Sequence, residues 1–128
     1  MMSLTKQELL SLAKAWVYMH SVKENSPEWE DTFWSYIKLR ELISEAPNDA
    51  WEAINEIRKL DGSDHILSNL AAGPLEDFLV YHGEDFIDRI EDACKEDDQL
   101  RKLLGATWQN DMSNSLWLRI KLLASSSW

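Results

Sequence analysis

Gly73-Pro74-Leu75-Glu76-Asp77-Phe78-Leu79-Val80-Tyr81-His82-Gly83 is the stretch whose reading decides the fold. Pro74 suits the first position of a helix, where its missing N–H would be unpaired in any case. Glu76 and Asp77 then fall in the first turn, facing the positive end of the helix dipole. His82 falls in the last turn, where a cation is favoured. Gly83 is the kind of residue with which a helix stops in a left-handed conformation. Leu75, Phe78, Leu79 and His82 recur at helical spacing and form one stripe against a core. The expectation is a short helix opened by Pro74 and closed by Gly83. The same residues admit a chemical reading, because Glu76, Asp77, Tyr81 and His82 are the residue types of a carboxylate–histidine hydrolase site. Helix geometry counts against it: residues 76 and 82 stand about 9 Å apart along the axis and about 120° apart around it. The structural reading is preferred, with the enzyme as the alternative.

Working outward, the pattern is helical throughout. Thr5-Lys6-Gln7-Glu8 is a capping box, with Leu4 and Leu9 as its hydrophobic staple. Leu9, Leu12, Ala13, Trp16, Val17 and His20 continue at helical spacing, and His20 reads as a boundary residue bonded to backbone or water. Ser26-Pro27 restarts the chain as N-cap and first helical residue. Trp29, Phe33, Trp34, Tyr36, Ile37, Leu39, Leu42 and Ile43 then cover more than one face, so that helix is either central or meets a partner. Pro47 begins a third helix, which Gly62 ends, and Ser63 caps a fourth carrying Ile66, Leu67 and Leu70. Beyond Gly83 come a helix over Glu84–Glu96, a short one stopping at Gly105, a loop holding Trp108, and a last helix capped by Ser113. The Ser125–Trp128 tail is expected to fray.

No run alternates with period two between hairpin signals, so no sheet is expected. The fold class is all-α, with seven to eight short helices in a single domain over residues 1–124. The helix pairs 47–72 and 84–104 look alike at an offset in the mid-thirties, which suggests helical-repeat-like stacking.

Leu70-Ala71-Ala72-Gly73-Pro74-Leu75-Glu76-Asp77, then His82-Gly83, Phe86-Ile87, Leu103-Leu104-Gly105 and Trp108, carry a resemblance. Over roughly Ala50–Trp117 the chain resembles a family of small bacterial proteins described as a domain of unknown function. The resemblance implies a small helical bacterial domain, and it implies no activity, cofactor or catalytic residue.

At 128 residues with 45% apolar content, the chain is long and apolar enough to bury a core without metal or disulfide. Its formal net charge of −10 argues against nucleic acid and anionic membranes as partners, since both reward Lys and Arg. Cys94 is the one cysteine. It lies on the apolar side of its helix, as a small hydrophobe suited to a reducing cytoplasm. No signal peptide or transmembrane run is read. Metal, phosphate-loop and nucleophile-elbow motifs are missing from the sequence, so no cofactor and no metal are expected.

Charge placement is more informative. Glu84, Asp88, Asp92 and Glu96 fall at successive i, i+4 positions, with Asp85 and Glu91 close by and Asp97-Asp98 just beyond. Like charges at that spacing weaken a helix, and Arg89 and Lys95 relieve only part of the repulsion. The row is either a solvated face or a docking face for a basic groove. Seven tryptophans against three phenylalanines add to the second reading, because Trp favours core margins and interfaces. The expectation is a non-catalytic, cytoplasmic inhibitor of the bacterial immunity type. It would bind a basic protein, such as a toxin domain, through Glu84, Asp88, Glu91, Asp92, Glu96, Asp97, Asp98 and Trp108. Reversing Asp88 and Asp92 to lysine is expected to stabilise the free protein slightly.

Overall fold

The first helix, α1 (Lys6–Met19), starts as its capping box dictates. Glu8 N–H donates to Thr5 Oγ1 at 3.1 Å, and Thr5 N–H donates to Glu8 Oε1 at 2.9 Å. The computed structural model describes residues 3–124, so the Ser125–Trp128 tail lies outside the described residues. Among the described residues there are helices and no strand. Their contacts group into two units, one up to Ile66 and the other from Leu67 on.

In the first unit, α1 buries Leu9, Leu12, Ala13 and Trp16 and packs on α3 (Trp34–Glu45) and α4 (Pro47–Leu60). His20, just past the end of α1, has its Nδ1 3.0 Å from the Trp16 carbonyl oxygen and its ring 3.9 Å from the Trp16 ring. Burial lowers its imidazole below the ordinary value, although the bond to Trp16 opposes this. Ser26 and Pro27 open a helix as expected, with Trp29 N–H donating to Ser26 Oγ. That helix is broken at Phe33 into α2 (Pro27–Thr32) and α3. The buried side of α3 is Ser35, Leu39, Leu42 and Ile43, whereas Trp34, Tyr36 and Ile37 are exposed. A helix apolar on so many sides is therefore not central.

In the second unit the decisive stretch departs from its reading. The helical run that begins with α5 (Asp64–Leu70) does not break before Pro74. It passes through a π-turn (Ala71–Leu75) directly into α6 (Glu76–Cys94), a 19-residue helix. Within an α-helix a proline removes one hydrogen bond and its ring collides with the carbonyl four residues back. The wider turn relieves that collision, and Glu76 N–H reaches the carbonyl of Ala71 five residues back. Pro74 therefore sits inside a helical run and does not open one.

Gly83 likewise does not close one. Among the described residues no glycine has a positive φ, and Gly83 is buried in the middle of α6. Its reason is packing against α8 (Asn114–Leu123): a Cβ on Gly83 would lie 2.6 Å from Leu116 Cδ2. His82 is accordingly a mid-helix residue and not a last-turn cation. α7 (Asp98–Leu104) packs on both α6 and α8. Cys94 is buried, as its position on the apolar side requires.

The tryptophans divide. Trp16 and Trp51 are buried, Trp29 and Trp117 half-buried, and Trp34 and Trp108 exposed. Among the described residues no helix is long and apolar enough to cross a membrane.

Candidate protein-binding surface

A connected polar feature of the second unit begins at Glu76. Its side chain is only 9% exposed, and both carboxylate oxygens are used. Oε2 accepts from the Trp108 backbone N–H at 3.1 Å, and Oε1 accepts from Asn110 Nδ2 at 3.2 Å. An ionised acceptor makes each of these bonds stronger than a neutral one would be. Glu76 thus ties down the segment between α7 and α8. Other bonds in that segment finish the work. Thr107 Oγ1 donates to the Leu104 carbonyl at 2.7 Å, and Gln109 Nε2 donates to the Met112 carbonyl and to Asn114 Oδ1. Asn110 takes a left-handed turn conformation, φ 51°, which Asn tolerates better than most residues. On this fixed backbone the Trp108 side chain is 75% exposed.

The other members of the carboxylate–histidine set are placed differently from Glu76. Asp77 and Tyr81 face solvent. His82 is half-buried beside aromatic rings, with centroids 5.5 Å from Phe78 and 6.4 Å from Phe86. Glu76 is turned to the Trp108 segment, and its task there is to hold backbone.

The acidic row is exposed, but it is not left uncompensated. Arg119, on α8, donates from Nη2 to Asp88 Oδ1 at 3.0 Å and to Glu91 Oε2 at 3.2 Å. These bonds, Asp88 first, raise the guanidinium above its ordinary value. Ser113 caps α8 by accepting from Leu116 N–H, and it donates its own hydrogen to Glu84 Oε1 at 2.7 Å. Lys95 Nζ stands 3.1 Å from Asp92. Glu96 leaves the ladder altogether, because α6 ends at Cys94. Asp97 is the N-cap of α7, accepting from Leu100 N–H at 3.0 Å. Asp98 is exposed in the first turn of α7, where a carboxylate is favoured.

The local sequence therefore missed compensation that comes from 28 to 31 residues away. One expected result changes sign. Reversing Asp88 and Asp92 to lysine puts a lysine beside Arg119 and a second beside Lys95. The free protein should lose stability, seen as a lower thermal midpoint at low salt, with the difference shrinking as salt is added.

These features define an acidic all-helical protein whose second unit presents a tethered, solvent-facing tryptophan and an exposed carboxylate row. A family model matches residues 22–127, and the chain belongs to that family, a family of unknown function (DUF6869). The match begins well before Ala50 and takes in much of the first unit. No curated protein and no solved structure shows significant similarity to the chain.

Proposed function

We propose that this chain is a non-catalytic binding module of the bacterial cytoplasm, an immunity-type protein that blocks a basic partner such as a toxin domain. The observation that carries the reading is Trp108, a large side chain held 75% exposed on a segment anchored by a buried carboxylate. An isolated protein gains nothing from fixing a tryptophan in water. A binding protein gains, because the loop is ordered before the partner arrives and the ordering cost at contact falls. Trp is among the residues that most often supply the bulk of interface energy. Exposed carboxylates at Glu84, Asp85, Asp88, Glu91 and Asp92 would speed encounter with a basic surface and exclude acidic ones. Arg119 belongs to the same surface and fixes the Asp88 and Glu91 carboxylates, so it sets their geometry for the partner.

The test is titration calorimetry against the protein encoded by the adjacent reading frame, with Trp108→Ala as the variant. The expected loss of affinity is about 30-fold, with the unfolding midpoint unchanged because the side chain is exposed. Association should also slow as salt rises. Equal affinity for wild type and Trp108→Ala would remove the tryptophan, and with it this reading.

A further inference from the structure

A second surface, in the first unit, is left over by that reading. α3 turns Ser35, Leu39, Leu42 and Ile43 inward, and its opposite side is also apolar. Trp34 is 46% and Ile37 50% exposed, with Phe33 half-buried beside them. The rings are ordered against one another. Trp29 lies 4.8 Å from Phe33, Phe33 lies 5.3 Å from Tyr36, and the Arg40 guanidinium lies 5.7 Å over the Tyr36 ring. A contiguous apolar face of this kind marks an interaction site, where scattered apolar residues would not.

Charge selects the occupant. Glu28, Glu30 and Asp31 stand at the α2 end of the face and Arg40 at the α3 end. Lys38 is satisfied by Glu41 at 3.1 Å, whereas Glu30 and Arg40 have no oppositely charged partner among the described residues. A face with acid at one end and base at the other is complementary to itself when two copies lie antiparallel. A two-fold axis level with Ser35 sets Phe33 opposite Ile37 of the second copy. It also brings Arg40 to Glu30 of the second copy and to the ring of Trp29 of the second copy, a favourable place for a guanidinium. We propose that the α2–α3 face binds a second copy of this chain, forming an isologous antiparallel dimer. It uses none of the residues assigned to the acidic surface, so it stands or falls apart from the proposed function.

Sedimentation equilibrium of the whole chain, from micromolar to near-millimolar concentration, tests it. The wild type should sediment as a monomer–dimer equilibrium. Arg40→Glu alone, or Glu30→Arg alone, should raise the dissociation constant about tenfold, because each turns two symmetric attractions into repulsions. The double variant Glu30→Arg with Arg40→Glu should return to within about threefold of wild type. Within one chain the two residues stand on different helices, either side of Phe33, and form no ion pair with each other, so recovery has to come through the second copy. Ile37→Arg should abolish the dimer while leaving the helical circular dichroism and the unfolding midpoint unchanged, which separates lost association from lost folding. A wild type that stays monomeric overturns the proposal and leaves the face to a different protein. A double variant no better than either single variant overturns the antiparallel pairing.

Discussion

Gly83→Val should lower the unfolding free energy by about 2 kcal/mol, the scale of forcing extra methyl groups into a packed core. The sign is informative, because two effects compete. In an open helix, replacing glycine by a residue with a side chain gains up to about 1 kcal/mol from propensity. Here Leu116 Cδ2, on a buried side chain, lies 2.6 Å from the new Cβ, so crowding outweighs the gain. A double-mutant cycle separates the two. With Leu116→Ala in the background the obstruction is gone, and Gly83→Val should lose its cost. Chemical unfolding of the four proteins gives the coupling directly. If Gly83→Val has the wild-type midpoint, the Leu116 side chain turns aside at no net cost.

Glu76→Ala should cost about 3 kcal/mol, since hydrogen bonds to a charged acceptor are each worth about 1.5–3 kcal/mol and two are lost. The Trp108 N–H and the Asn110 amide lose their acceptors together. Glu76→Gln keeps one acceptor oxygen and should cost about half as much. The segment between α7 and α8 should report the change locally. Amide exchange at Trp108 should speed up in Glu76→Ala before global unfolding is reached, because a tether has been cut and the helices remain. Unchanged exchange at Trp108 would mean that the segment is held by Thr107 and Gln109 without help from the carboxylate.

What was legible in the sequence follows from how far its causes reach. The starts at Thr5, Ser26 and Ser113 could be read because a cap is a bond between residues three apart. The outer aromatic face of α2–α3 showed as an excess of apolar positions, although its exposure did not. Pro74 and Gly83 were misread for two different reasons. Proline is a start signal only where the helix is regular, and the π-turn makes it irregular. Glycine is a stop signal only when nothing crowds it, and the crowding residue lies 33 positions later at Leu116. The acidic row was legible as a row, while its partner Arg119 was not, because no periodicity links α6 to α8. The Glu76 tether was missed likewise: first-turn carboxylates are so common that nothing marked one as reaching across 32 residues.

The π-turn has a consequence for how this chain can change length. A π-turn holds one residue more than the α-turn it replaces, and each helical residue advances the face by about 100°. Losing one residue between Ala71 and Leu75 would let an α-turn close in its place, so α6 would keep its faces in register with the turns before it. Phe78, Leu79 and Ile87 would stay inward. If Pro74 were kept, its ring would meet the carbonyl four residues back, so the residue lost with least strain is Pro74 itself. A deletion in the segment 106–112 would instead pull Trp108 away from Glu76. Natural length variation of one residue among relatives of this chain should therefore collect at the π-turn.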